Sequence, residues 1–155
     1  RLCRQQTAME TNVSVKNIRK HGVLMSLVVF LFVDSVIAST TTPNDLLASY
    51  AQKMKAKNPN FQGFLAKRGE VFYKENHGQE WSCASCHTDN PANVGSHAIT
   101  KKVIQPLAPS VNAERFTDPA KVDKWFKRNC NDVLKRECTT QEKGDFITYL
   151  LTVKK

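Results

Sequence analysis

Residues 83–87, Cys83-Ala84-Ser85-Cys86-His87, carry the most specific signal in this chain of 155 residues. Their spacing lets two thiols add to the vinyl groups of a haem while the following histidine ligates its iron. A redox-active dithiol or half of a zinc site are the alternatives, but the sequence shows neither a βαβ unit nor a second ligand pair at finger spacing. The motif therefore predicts one covalent haem c attached to Cys83 and Cys86, with His87 as an iron ligand.

The first forty residues predict export. Basic residues precede an apolar run from Val23 to Val33, and a small-residue cleavage site ends at Ala38. The run is too short to cross a bilayer comfortably, so a cleaved signal peptide is favoured over an uncleaved N-terminal anchor. We expect residues 1–38 to be upstream residues and signal peptide, and residues 39–155 to be one periplasmic haem domain without stable membrane insertion.

The charge of the chain is strongly positive, at +9. Five of its 23 basic and two of its 14 acidic residues precede Ser39, so residues 39–155 keep a net charge of +6. An exported protein does not meet cytosolic nucleic acid. The basic excess therefore favours acidic protein partners over nucleic acid, while most of the individual lysines are expected to serve only a soluble surface.

A second cysteine pair, Cys130 and Cys138, encloses seven residues between two predicted helices. After removal of the leader, four cysteines remain, an even number in an oxidising compartment. The pair therefore predicts a disulfide, which would also fix the backbone next to Asn129.

Hydrophobic periodicity predicts helices and no strands. The predicted helices run from a cap at Pro43–Asp45 to about Asn58, from about Gln62 to Lys74, from Thr117 to a stop at Arg128–Cys130, and from Thr139 or Thr140 to the C-terminus. The segment between His87 and Arg115 is expected to wrap the haem. Gly69 offers a close crossing with the terminal helix, with Phe72 and Tyr149 as aromatic partners. This all-α arrangement, with about four helices around one covalent haem, resembles the class I cytochrome c fold.

The second axial ligand decides whether a haem only carries electrons or also binds small molecules. Class I cytochromes c normally use a methionine downstream of the haem histidine, but all three methionines, the last being Met54, precede the motif. Downstream candidates are His97, Asn129 and several lysines. Asn129 is equally consistent with a helix end, so these residues alone leave the ligand open.

Six short runs between residues 102 and 145 carry a specific pattern. They are Pro106-Leu107-Ala108-Pro109-Ser110, Arg115-Phe116-Thr117-Asp118, Val122-Asp123-Lys124-Trp125, Arg128-Asn129-Cys130-Asn131, Arg136-Glu137-Cys138-Thr139 and Glu142-Lys143-Gly144. In these runs the chain resembles the sphaeroides haem protein family, an unusual branch of the class I cytochromes c. With the haem motif and the first helix, the resemblance covers essentially all of residues 39–155. It implies His87 and Asn129 as the axial ligands and a bridge between Cys130 and Cys138.

The resemblance also implies a redox-gated site, in which Asn129 leaves the iron on reduction and admits oxygen or nitric oxide. It implies electron exchange with a dihaem c-type cytochrome and, through it, a membrane cytochrome b. A plain electron carrier with a fixed non-methionine ligand stays open, as does a peroxidase-like enzyme using His97 with Arg115 or Arg128. No catalytic residue is assigned, and a terminal reductase activity stays open. We identify no family counterpart for His97.

Overall fold

A computed structural model describes residues 41–155, which contain five helices and one antiparallel pair of two-residue strands. The prediction of an all-α domain is confirmed. The predicted signal peptide at residues 1–38 lies outside the described residues. Within the described part of the chain, no helix is long and apolar enough to cross a membrane. The elements are α1 Pro43–Lys57, α2 Ala66–Lys74, α3 Ala84–His87, β1 Gly95–Ser96, β2 Val103–Ile104, α4 Pro119–Leu134 and α5 Thr140–Thr152.

Capping boxes begin α1 and α5. The Thr42 hydroxyl accepts the N–H of Asp45 at 3.2 Å, and the Asp45 carboxylate accepts the N–H of Thr42 at 2.8 Å. Thr139 and Glu142 repeat the arrangement at the start of α5, which agrees with the predicted start at Thr139 or Thr140. For α1 the cap is Thr42, one residue before the predicted cap, because Pro43 suits the first helical position, where no N–H is needed.

The start of α2 at Ala66 is four residues later than predicted. Gly63 has a φ of +102°, and Leu65 is extended, with its N–H donated to the Asp145 carboxylate at 2.6 Å. A hydrogen bond to α5 therefore replaces the helical geometry that the local pattern favours. Periodicity within one segment contains no information about such a distant partner.

The predicted stop of the third long helix at Arg128–Cys130 is wrong. Helix α4 continues to Leu134 and ends where Lys135 adopts a left-handed φ of 57°. Continuation buries Leu134 beside Cys130 on the apolar face of the helix. Asn129 therefore lies inside a helix rather than at its end.

The prediction that the domain contains no strands is also wrong. A short hairpin pairs Gly95 with Ile104 and Ser96 with Val103. Two residues are too few to show the alternating pattern by which a strand is recognised in a sequence.

The predicted crossing of α2 and α5 at Gly69 is confirmed. A Cβ atom placed on Gly69 would overlap the backbone carbonyl of Asp145 and lie 2.8 Å from the Cβ of Tyr149. Aromatic rings surround the crossing: Phe72 meets Phe146 edge-on at 6.4 Å between ring centroids, and Tyr73 lies 5.6 Å from Tyr149. The two helices approach this closely because residue 69 has no side chain.

The buried carboxylate of Asp145 joins the same two helices. Its side chain receives the Arg68 guanidinium at 2.7 and 2.9 Å and the Gln141 amide at 3.1 Å, and the residue is only 4% exposed. Together with the N–H of Leu65, these donors compensate the burial of its charge.

We expect Gly69→Ala to lower the free energy of unfolding by about 3 kcal/mol, because neither the Asp145 backbone nor the Tyr149 Cβ can move without separating the helices. Guanidinium unfolding followed by circular dichroism measures the change. Lys67→Ala, at a solvent-exposed position of the same helix, is the control and should change stability by less than about 0.5 kcal/mol. Equal stability of the Gly69 variant and the control would contradict the close-crossing model.

Candidate haem site

The C-x-x-C-H motif forms a single helical turn, with Cys83 at its start and Cys86 and His87 inside it. The two thiols are not joined to each other, and Cys83 packs against the main apolar cluster. Burial raises the pKa of the Cys83 thiol to about 12. A redox-active dithiol needs the opposite shift, because the thiolate is its reactive form. The surroundings of Cys83 therefore disfavour the redox-dithiol alternative.

The zinc alternative also lacks its ligands. Nowhere between residues 41 and 155 do three His, Cys, Asp or Glu side chains cluster in a way that could hold a metal ion. A structural zinc site needs four such ligands, and the motif supplies at most three.

Contacts from both sides hold the motif in place. The buried Tyr73 of α2 donates its hydroxyl to the Thr88 carbonyl at 2.5 Å, and Thr88 has a left-handed φ of 64°. On the other side, Gly95 packs closely against the backbone of the motif. A Cβ atom placed on Gly95 would overlap the Cys86 carbonyl and lie 3.1 Å from the His87 Cα. Sequence analysis missed Tyr73 and Gly95, although a glycine eight residues after the haem histidine is a usable signal of close backbone approach.

His87 is held in the form that can ligate iron. Burial and then the positive charge of Arg115 lower the pKa of its imidazole to about 4, so the ring is neutral at pH 7. Arg115 is held by the backbone: its Nε donates to the Pro106 carbonyl at 2.9 Å and its Nη2 to the Gln105 carbonyl at 2.7 Å. The charge of Arg115 thus acts on the predicted proximal histidine. A distal catalytic group would have to lie on the opposite side of the haem.

His97 lies in the hairpin between β1 and β2, where its ring stabilises the turn. Its Nδ1 accepts the backbone N–H groups of Ile99 and Thr100, both at 3.2 Å. An acceptor needs a lone pair, so the proton of a neutral ring belongs on Nε2 by this hydrogen-bond geometry. Iron ligation by either nitrogen would require moving that proton or breaking both hydrogen bonds.

Asn129 lies on α4 immediately before Cys130, and its side chain is exposed. Cys130 and Cys138 are bonded and buried, with their Cα atoms 5.6 Å apart, so they join the end of α4 to the residues before α5. The structure thus places Asn129 one residue from a covalent anchor.

Helix α4, which carries Asn129, and the separate haem motif both contribute to one apolar cluster. Val122, Phe126 and Cys130 of α4 are buried members, and Cys83 and Ala84 pack against it. A c-type haem attached to Cys83 would therefore be bonded to the core that α4 helps to form.

The donor set fits a c-type haem. Two unjoined thiols precede a neutral imidazole in the motif, and large apolar side chains are exposed on the hairpin region and on α4. A porphyrin is a large apolar surface that such side chains can cover. The exposed side chains are Val94, Ile99, Val103 and Trp125.

A protein-family model described as "Domain of unknown function (DUF1924)" matches residues 59–150. Cytochrome c'' of Methylophilus methylotrophus is 43% identical over 126 residues, covering 79% of this chain and 88% of that protein. The cytochrome c-type protein SHP of Cereibacter sphaeroides is 36% identical over 118 residues, covering 74% of this chain and 86% of that protein.

Solved structures of the same two proteins match the fold. The crystal structure of oxidised cytochrome c'' has a TM-score of 0.65 at 44% identity and covers 73% of this chain and 95% of that one. A solution structure of cytochrome c'', described as giving insight into haem-ligand detachment, has a TM-score of 0.63 at 44% identity, covering 73% and 94%. Oxidised SHP, described as an oxygen-binding cytochrome c, has a TM-score of 0.59 at 36% identity, covering 72% and 96%.

We expect the double variant Cys130→Ser/Cys138→Ser to lose about 2–3 kcal/mol of stability, because the bridge restricts the unfolded chain and anchors the end of α4. Urea unfolding of the haem-loaded protein, with and without a thiol reductant, measures this loss. The reductant should destabilise the parent protein and leave the double variant unchanged. Identical unfolding midpoints for parent and variant in the absence of reductant would contradict a stabilising bridge.

Proposed function

Because this chain belongs to the DUF1924 family, with cytochrome c'' and SHP as homologues, we propose that it is a periplasmic cytochrome with a redox-gated ligand site. Family membership makes it a c-type haem protein, and its single C-x-x-C-H motif makes it a monohaem cytochrome. The observation that carries the proposal is Asn129, exposed on a helix that shares its apolar cluster with the haem motif.

In this proposal, Cys83 and Cys86 hold the haem by two thioether bonds, and His87 ligates the iron from the proximal side. The haem supplies an iron that exchanges one electron and binds diatomic molecules when an axial position is open. The chain contributes the neutral imidazole, which burial and the Arg115 charge maintain at neutral pH. Arg115 in turn is fixed by the carbonyls of Gln105 and Pro106.

We assign the opposite axial position to Asn129. A carboxamide oxygen is a hard and weak donor, so it holds ferric iron better than ferrous iron. Two descriptions of the homologues support a labile ligand: SHP is an oxygen-binding cytochrome c, and cytochrome c'' is associated with haem-ligand detachment. The hydrogen bonds that occupy Nδ1 of His97 support Asn129 over His97 as the ligand.

The peroxidase-like alternative has less support. It needs a distal acid–base pair, yet the His97 ring serves the hairpin turn and the Arg115 guanidinium serves the loop beside His87. The plain electron carrier with a fixed ligand differs from our proposal only in whether the axial position opens. Ligand binding to the reduced protein distinguishes the two.

We further propose that electrons arrive from a dihaem c-type cytochrome, itself reduced by a membrane cytochrome b. Residues 39–155 keep a net charge of +6, and α4 exposes several basic side chains beside the Asn129 segment. An acidic partner would be attracted to such a surface at low ionic strength. The exposed basic residues of α4 are Lys121, Lys124, Lys127 and Arg128.

Carbon monoxide or nitric oxide added to the dithionite-reduced protein should shift the Soret band within the mixing time, because the reduced iron no longer holds Asn129. Stopped-flow absorbance measures the shift. An unchanged low-spin spectrum would overturn the labile-ligand proposal and leave a plain electron carrier.

Matched variants assign the ligand in the same experiment. Asn129→Ala should change the ferric spectrum, whereas Asn131→Ala, an exposed asparagine on the same helix, should not. His97→Ala should also keep the ferric spectrum. A ferric spectrum altered by the His97 variant and unaltered by the Asn129 variant would show that His97 is the ligand.

Electron transfer from an acidic dihaem partner should slow as salt rises from low to physiological ionic strength, because screening weakens attraction to the basic surface. Stopped-flow rates at several salt concentrations test this, and reduction by an uncharged hydroquinone is the partner-free control. A rate independent of salt would exclude electrostatic docking.

A further inference from the structure

Trp125 is a large apolar side chain that the core of the protein does not use. It is 46% exposed on α4, whereas Val122 and Phe126 of the same helix are buried. Trp125 precedes Asn129 by four residues. At 100° per residue, four residues advance about 40° past one full turn, so the two side chains leave the helix on the same face, about one turn apart.

Apolar side chains also flank Asn129 on its other side. Val133 follows it by four residues and packs against the apolar cluster, and Val122 precedes it by seven residues and is buried. By the same helical spacing, both project within about 40° of Asn129. The amide therefore emerges from an apolar stripe formed by Val122, Trp125 and Val133, which is the environment expected for a polar group that meets an apolar ring.

A charged neighbour on the same helix restrains Trp125. The Arg128 guanidinium lies 5.6 Å from the centre of the indole ring, a cation–π arrangement that favours one ring orientation. The helix itself is held by Phe126, whose ring lies 5.5 Å from that of Phe146, and by Asp123, which accepts the Tyr50 hydroxyl at 3.2 Å. These contacts hold the stretch of helix from which Trp125 projects.

We propose that Trp125 forms one wall of the ligand site beside Asn129 and sets the size of the molecules that reach the iron. This inference rests on the proposed function, because it requires that Asn129 vacate its position on reduction. The site then admits diatomic molecules such as oxygen and nitric oxide. Branched or longer ligands collide with the indole, which Arg128 keeps from turning aside.

Ligands of graded size test the proposal on the dithionite-reduced, haem-loaded protein. Carbon monoxide, methyl isocyanide and tert-butyl isocyanide are titrated while the Soret band is monitored. Trp125→Ala should bind tert-butyl isocyanide at least about tenfold more tightly than the parent protein, because removing the wall relieves a steric exclusion. Its affinity for carbon monoxide should change by less than about threefold. Trp125→Phe should give an intermediate size preference.

The control variant is Asn131→Ala, at an exposed position on another face of the same helix, which should keep the parent preference. Trp125→Phe preserves an aromatic ring, so it tests the size selection if the alanine variant does not fold. An unchanged ratio of isocyanide to carbon monoxide affinity in folded Trp125 variants would overturn the proposal that Trp125 limits ligand size. If those variants instead slowed electron transfer from an acidic partner, Trp125 would belong to a docking surface. Failure of the parent protein to bind carbon monoxide at all would overturn the proposed function itself.

Discussion

The position of the haem motif depends on the close approach of α2 to α5 at Gly69. Because residue 69 has no side chain, the Asp145 backbone can lie against α2, and the Asp145 carboxylate can then reach Leu65 and Arg68. The crossing buries Tyr73, whose hydroxyl holds the Thr88 carbonyl immediately after the haem histidine. A change at the crossing would therefore be transmitted to the motif through one helix and one hydrogen bond.

Much of this arrangement could be predicted because its signals are local. The two cysteines and the histidine of the motif have a spacing set by the chemistry of haem attachment, and the Thr139–Glu142 capping box lies within a single turn. Gly69 also gave a correct prediction, since a glycine on an otherwise apolar helix face indicates close packing. In each case the structure is produced either by residues that are neighbours in the sequence or by one glycine.

The wrong predictions have distant causes. The start of α2 depends on Asp145, which is 80 positions from Leu65 along the chain. The end of α4 depends on burying Leu134, whereas the local sequence at Asn129 is typical of a helix end. The distal ligand could not be assigned from residue types either, because His97 and Asn129 are both capable donors. Family resemblance favours Asn129, and the hydrogen bonds at Nδ1 of His97 give an independent physical argument in the same direction.

A weak ligand on a rigid helix explains how the proposed site could respond to a single electron. Helix α4 is anchored by the Cys130–Cys138 bridge and by the contacts of Phe126 and Asp123, so Asn129 needs little further ordering to reach the iron. In the proposed site, this low entropic cost would let even a carboxamide oxygen bind ferric iron. The same anchoring would keep the helix backbone in place when reduction weakens the bond to the amide oxygen. In the proposed site, ligand loss would then need only a rotation of the Asn129 side chain.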